Sequence, residues 1–391
     1  MRSLRVLAVP CQDGFGPAAL MAHVIGEVLR RWPQSSVTIH SNRRVAGGGL
    51  YCARLFEGAR QVEVVARGNP LWLAKPGGVT SIAETMKHLA EYPEWSRGYS
   101  PGGDFDLAIE YGVPAVARWA ADAGIPCVSL FDHAWSVTLE AMAREQGFDS
   151  PAFRDAIGAI RDDEKRTQEM FLLPAFAAPA PYPDYWRSTA AGNVTQLRDA
   201  LGGTRLWPRL EARRFLGLRD RVPAVLVQAG DTPAWDPVLP RMVRQFASRD
   251  RSLGADILIH VPARLEMPRL ERNRYRRLRR VRMPAGPFQS ILPAVDLIVG
   301  RAGGGTVNDA VACGTPLVCV DEPGQPQVRA ILEACVARGI ARALPWGVFS
   351  RNPAEAVLRA IEGRRGGRTR AAGRGGERAV ADRIGELTGL G

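Results

Sequence analysis

Lysine is scarce in this chain. Of its 52 basic residues only Lys75, Lys87 and Lys165 are lysine, so arginine carries the formal net charge of +12. A sequence pI near 10.0 would ordinarily raise nucleic acid or an acidic membrane as a partner. Near-exclusive arginine alongside abundant alanine and glycine instead suggests broad coding bias rather than selection for a basic face. No apolar run approaches the ~18 residues that a membrane-crossing helix needs. The six cysteines, Cys11, Cys52, Cys127, Cys313, Cys319 and Cys335, form no Cys-x-x-Cys pair, which excludes the common zinc spacings and reads as buried thiols in a reducing compartment. The amino end, "MRSLRVLAVPCQDGFG", lacks the long apolar core and cleavage site of a secretory leader. It reads as a first strand in a cytoplasmic protein.

What is present is a repeated order of apolar run, polar or glycine-rich turn, and amphipathic helix. In the first half "VLAVP", "VTIHS", "VEVVA", "LAIEY" and "CVSLF" read as strands, with helices over 17–31, 113–123 and 152–171. The proline-dense stretch 172–186 can be neither regular helix nor central strand, and it marks the approach to a boundary. Beyond it "RLEARRFLGL" reads as a helix stopped by Gly217, and "AVLVQ", "DILIHVP", "DLIVG" and "LVCV" resume the alternation. At 391 residues the chain exceeds the ~250–300 residues that one core usually serves. The fold class expected is α/β, with two Rossmann-like doubly wound parallel-sheet domains facing a central cleft. The expected division is 1–205, 206–370 and a tail helix over 371–391. Two arginine clusters stand out, a helix-like "RNRYRRLRRVR" over 272–282 and a Gly/Arg tract over 363–376 that reads as a loop.

The stretch "RAGGGTVND" follows an apolar run at the point where an open α/β sheet binds its ligands. Gly303, Gly304 and Gly305 would let a diphosphate approach the backbone closely. A capping box built on Thr306 and Asp309 would explain part of the pattern without any ligand.

The segment 291–341, with this turn, the acid on the following helix, "GTP" before the next strand and the glutamines beyond, resembles the donor-binding segment of GT-B-fold glycosyltransferases. It is most similar to the group related to the peptidoglycan N-acetylglucosaminyltransferase. "RLEARRFLGLRDRVPAVLVQAGD" is similar to the same group, and elsewhere the likeness is one of architecture. The resemblance implies that Gly303, Gly304, Gly305 and Thr306 hold the donor diphosphate, with Asp309 at the ribose. The segment "GPFQ" containing Phe288 would meet the base, Asp321 with Gln325 or Gln327 the sugar hydroxyls, and Gly230 the floor of the cleft. The first loop, with Gly14 and Gly16, resembles the family's acceptor loop, but Pro17 stands where relatives carry histidine, which leaves Asp13 there.

Asp132 and His133 follow "CVSLF" and should emerge at the carboxyl edge of the sheet, where either could accept a proton near neutral pH; a helix-capping role for Asp132 is the alternative. Glu110 is a further acid at the same edge. Asp104 and Asp106 precede their strand and lie at the wrong edge for a nucleotide metal. The other histidines, His23, His40, His88 and His260, have no metal-ligand spacing.

The activity implied is an inverting, metal-independent transfer of a sugar from a nucleotide diphosphate donor, UDP- or TDP-linked, to a small-molecule or lipid-linked acceptor. No cofactor beyond the donor is expected, no metal and no nucleic acid, and peripheral contact with the inner face of a membrane stays open. The alternatives are a nucleotide-sugar 2-epimerase of the same fold or a basic membrane- or nucleic-acid-associated binding protein.

Overall fold

The structure is a computed structural model that describes residues 3–12, 15–44, 49–76, 80–131, 134–174, 193–203, 206–230, 232–260, 278–281, 288–363 and 373–390. It divides into two compact units, Met1–Pro76 with Thr80–Gly203 and Arg374–Gly391 in the first, and Gly77–Val79 with Thr204–Gly373 in the second.

The first unit is a seven-stranded parallel sheet made of β1 (Arg5–Pro10), β2 (Ser36–His40), β3 (Val62–Val65), β4 (Leu107–Tyr111), β5 (Cys127–Phe131), β6 (Glu169–Leu172) and β7 (Asn193–Gln196), in the order β3-β2-β1-β4-β5-β6-β7. The inner strands β4 and β5 are buried at every position. This is why they read as continuous apolar runs rather than alternating ones: helices cover both faces of a parallel sheet. The helix Gly16–Arg31 carries proline in its first turn and buries Leu20, Val24 and Val28, the i, i+4 stripe that the sequence displays.

The second unit is a six-stranded parallel sheet of β8 (Ala224–Gln228), β9 (Asp256–His260), β10 (Leu278–Val281), β11 (Leu297–Arg301), β12 (Leu317–Asp321) and β13 (Ala341–Pro345), ordered β10-β9-β8-β11-β12-β13. Both sheets therefore run outward in two directions from a central pair. That pair is β1 and β4 in the first unit, and β8 and β11 in the second. At such a reversal the loops leaving the carboxyl ends of the two strands diverge and open a crevice.

Several expected elements differ. The helix expected over 152–171 ends at Glu164, and Glu169–Leu172 form β6. There the chain gains a place beside β5 that buries all four residues of "EMFL". Within the 272–282 cluster, residues 278–281 are a strand rather than helix, pairing with β9 and burying Leu278; the rest of that cluster lies outside the described residues. The helix Arg209–Phe215 stops where Gly217 takes φ +66°.

The tail helix Gly376–Thr388 belongs to the first unit. Glu377 accepts the Gly202 N–H at 2.9 Å, Arg31 pairs with Asp382 at 2.5 Å, and Arg383 pairs with Glu169 on β6. No helix among the described residues is long and apolar enough to cross a membrane.

Candidate functional site

In the second unit, the central strands β8 and β11 leave no room for a side chain at Gly300. A Cβ built on Gly300 would stand 2.6 Å from the carbonyl oxygen of Gln228, its partner in register. This glycine is demanded by the sheet itself. After it β11 ends at Arg301, and the helix Gly304–Cys313 begins almost at once, with Gly303 as its N-cap.

No side chain caps this helix. Thr306 is its third residue, so the capping-box alternative does not describe this turn. The first intrahelical bond runs from the Val307 N–H to the Gly303 carbonyl at 3.0 Å. The amides of Gly304, Gly305 and Thr306 thus belong to the first turn, whose donors have no carbonyl behind them in any α-helix. They carry the positive end of the helix dipole. Gly303 differs from Gly300: its φ is −79°, open to any residue, and a Cβ there would meet only Arg301 Cγ at an ordinary 3.8 Å. Neither backbone conformation nor internal packing requires a glycine at 303.

Beside this turn is a buried polar cluster. Glu322, one residue past β12, has no exposed side-chain surface; its Oε1 accepts from the Thr232 hydroxyl at 2.6 Å and from Gln325 Nε2 at 2.6 Å. Arg301 donates to Gln325 Oε1 and approaches Glu322 Oε2 at 3.8 Å. That separation gives an ion pair but not a hydrogen bond. Glu322 Oε2, Arg301 Nε, Gln228 Oε1 and Gln327 Oε1 are buried polar atoms without hydrogen-bond partners. Unpaired buried polar atoms are costly, and these belong to residues at or just beyond the carboxyl ends of β8, β11 and β12. Gly230, at φ +67°, brings the β8 turn against the stem of Arg301, with its Cβ position 3.6 Å from Arg301 Cδ.

The structure thus groups Gly230, Gly303, Gly304, Gly305, Thr306 and Gln325 along this edge of the second unit, with the buried Gln327 following on the helix Pro326–Ala337. It redistributes two others. Asp321 ends β12 half-exposed and pairs with Arg329 at 3.4 Å, whereas Glu322 turns inward. Asp309 accepts a hydrogen bond at 2.8 Å from Gln289 Nε2. Part of Asp309 reaches the surface, yet burial pushes its carboxyl up to about 7 against the opposing hydrogen bonds of Gln289 and Asn308. Phe288 opens the short 3-10 helix Phe288–Ala294. Arg301, Thr232 and Glu322 were not among the sequence candidates. A signal for Glu322 exists, since adjacent acids at a strand end point to opposite sides and only one can face inward.

In the first unit Asp13, Gly14, Asp132 and His133 lie outside the described residues. Gly16 is the first residue of the helix Gly16–Arg31. Glu110 is fully buried and accepts the Val113 N–H at 2.6 Å, so it closes the turn after β4. Burial raises its carboxyl to about 7. His23 and His40 are buried and held down to about 4, chiefly by desolvation and then by Arg374 and Arg67 respectively. His88 stacks on Trp72 with centroids 3.7 Å apart. Asp104 and Asp106 both pair with Arg5, at 3.4 and 3.0 Å, ahead of β4. No group of three or more His, Cys, Asp or Glu among the described residues could hold a metal ion.

An open groove of about 450 Å³ in the second unit is lined by Leu206, Trp207, Arg209, Pro293, Asp296 and Cys313. Asp296 precedes β11, so the groove lies at the amino edge, away from the glycine turn. Its charged groups already pair, Arg209 with Asp296 at 2.8 Å.

Comparison with solved structures agrees with this fold. The calicheamicin glycosyltransferase CalG4 superposes with a TM-score of 0.62 at 17% identity, covering 100% of this chain and 99% of that one. The fold is GT-B. The glycotransferase of kitacinnamycin gives a TM-score of 0.59 at 16% identity, over 99% and 100% of the two chains. The glycosyltransferase VinC, solved in complex with dTDP, gives 0.53 at 15%, over 99% and 95%. At these identities the likeness carries the GT-B architecture, both units included. No family model matches the chain, and no curated relative matches it.

Proposed function

We propose that this chain is a nucleotide-sugar glycosyltransferase whose second unit binds the donor. The observation that carries the reading is the uncapped helix Gly304–Cys313 at the β8/β11 reversal, introduced by a glycine that the protein's own packing does not need. Amides at a helix start, on a surface free of Cβ atoms, suit a diphosphate. Gly303, Gly304, Gly305 and Thr306 would hold it, and Gly230 would bound the site on the β8 side.

The buried acceptors of Glu322, Gln228 and Gln327 suit the hydroxyl donors of a sugar, with Arg301 and Gln325 between sugar and phosphate. The exposed pair Asp321–Arg329 would border this site. Phe288 and its neighbours would meet the base. UDP and dTDP sugars are the donor classes considered, dTDP being the nucleotide solved with VinC.

In the reaction, a base in the first unit would deprotonate an acceptor hydroxyl as it attacks the anomeric carbon with inversion. The C–O bond to the diphosphate breaks, and the departing negative charge is met by the helix-start amides. That backbone charge compensation supports a transfer that proceeds in EDTA. Asp13, Asp132 and His133, which follow β1 and β5 in the sequence, are the proposed bases, with Gly14 and Gly16 proposed to flank the acceptor. The acceptor is proposed to be a small molecule. A lipid-linked acceptor, as the motif likeness to the peptidoglycan N-acetylglucosaminyltransferase group would favour, is the competing outcome of an acceptor screen.

Calorimetric titration with UDP, dTDP and GDP tests the reading: binding of at least one, lost in Gly304→Val, is expected. Absence of binding by all three, with the protein folded, refutes it. Incubating the donor sugar alone separates a transferase from an epimerase, which would convert it without an acceptor.

A further inference from the structure

Three loops meet at the carboxyl edge of the first unit's sheet. β2 and β3 end in register, with His40 beside Val65, and the chain then turns sharply as the Arg67 N–H donates back to the Val65 carbonyl at 2.8 Å. Gly68 comes next. A Cβ there would stand 3.0 Å from Gln12 Nε2 and 3.7 Å from Asn42 Cβ. Gln12 and Asn42 each lie two residues beyond their strands, β1 and β2, so the loop after β3 packs against the loops after both. Its continuation is fastened down: Leu71 and Leu73 are buried in the core, the Leu71 N–H donates to Asn69 Oδ1 at 3.1 Å, and the Ala74 N–H donates to Thr85 Oγ1 at 3.0 Å.

This loop holds Arg67 half-buried, its guanidinium carbon 5.2 Å from the centroid of the Tyr99 ring. Among the described residues Arg67 makes no ion pair and no side-chain hydrogen bond. Arg31, Arg118 and Arg301, also half-buried, each face a carboxylate. A charge drawn partly out of water without a partner is costly, and a guanidinium offers a planar fork of donors that matches a carboxylate. His40 adds no second charge. It is 3% exposed and held down to about 4, first by desolvation and then by Arg67, so its imidazole is neutral near pH 7. One fixed positive charge beside neutral aromatic groups suits a monoanion better than a phosphate dianion.

Resting on the placement of the acceptor in the first unit, we propose that Arg67 is a specificity-determining residue and that the acceptor is a hydroxyl compound bearing a carboxylate. The hydroxyl end lies toward the end of β1. The carboxylate reaches across to Arg67 beyond β3, which stands two strands from β1, a span of about 10 Å. Arg67 receives it through two N–H donors.

The test is calorimetric titration of the full chain with 4-hydroxycinnamate, whose phenol and carboxylate stand at opposite ends, and with the neutral 4-hydroxycinnamamide. The wild type should bind the carboxylate at least tenfold more tightly than the amide. Arg67→Gln removes the charge while leaving a planar amide over Tyr99, and should erase that preference by weakening the carboxylate alone. Arg67→Lys keeps the charge without the fork and should lose part of it. Equal binding of the two probes by the wild type overturns the proposal, as does no binding of either at millimolar concentration, or a loss in Arg67→Gln common to both probes. Titration of the wild type with UDP, dTDP and GDP reports separately on the donor site: if none binds, the transferase reading falls while a carboxylate preference still stands, and if one binds without that preference, only the role of Arg67 falls.

Discussion

Two glycines three residues apart, Gly300 and Gly303, should respond oppositely to the same added methyl group. At 300 the new Cβ would lie 2.6 Å from the Gln228 carbonyl oxygen, a backbone atom in the neighbouring central strand. Either strand must shift by close to an ångström, and overpacking of this kind costs about 1–3 kcal/mol. For a unit of this size each kcal/mol lowers the melting temperature by about 2–4 °C.

At 303 the Cβ meets Arg301 Cγ at 3.8 Å with φ at −79°. Alanine is a poorer N-cap than glycine, but it also restricts the unfolded chain by about 0.4–1 kcal/mol. The net change in stability should fall within about 1 kcal/mol. If that surface receives a diphosphate, the methyl displaces it from the amides, and a lost hydrogen bond to a charged group costs about 1.5–3 kcal/mol, roughly ten- to a hundredfold in affinity. Gly300→Ala should therefore lower the melting temperature, while Gly303→Ala should keep it and lose affinity for nucleoside diphosphates, read by scanning calorimetry and titration. Wild-type nucleotide affinity in Gly303→Ala would refute the reasoning, and so would a loss of stability matching that of Gly300→Ala.

Other outcomes follow from the buried charges and turns. Arg301→Met leaves Glu322 buried without its countercharge and should cost about 3–5 kcal/mol in urea unfolding. Gly112 holds φ +66°, with its Cβ position 3.3 Å from Trp135 Nε1, so Gly112→Ala should destabilise by about 2 kcal/mol or more. His23 and His40, held down to about 4 in the folded chain, contribute stability that is complete above pH 6.5 and lost as pH falls toward 4, up to about 3 kcal/mol each. His23→Gln should flatten the acid limb of a stability profile between those values. Glu110 and Asp309, both raised to about 7, act in the other direction. Their contribution is full below the unfolded carboxyl pKa and is lost as pH rises through 7, so Glu110→Gln should gain on the wild type from pH 5 to pH 8.

Most strands that sequence periodicity revealed are inner ones, because a parallel sheet's interior leaves an uninterrupted apolar run, but the edge strand β3 was legible as well and the buried β6 was not. Two strands left little trace. β13, "ARALP", exposes alternate positions to no regular pattern, and β6 follows its helix without a glycine or proline to mark the break. The glycine turn was legible because local residue types announce it. The cluster of Thr232, Arg301 and Glu322 was not, since those residues lie up to ninety positions apart and only the strand order brings them together. Asp321 was singled out over Glu322 because a motif fixes position along the chain, whereas the choice between adjacent acids depends on which way the strand faces as it ends.

The first unit borrows its last helix from the far end of the chain. Gly376–Thr388 packs beside residues that precede it by more than three hundred positions, as in the pairing of Arg31 with Asp382. During synthesis the seven-stranded sheet must wait, one flank uncovered, until the entire second unit has been made, so nascent chains stalled within the second unit should expose apolar surface on the first and call for chaperone protection.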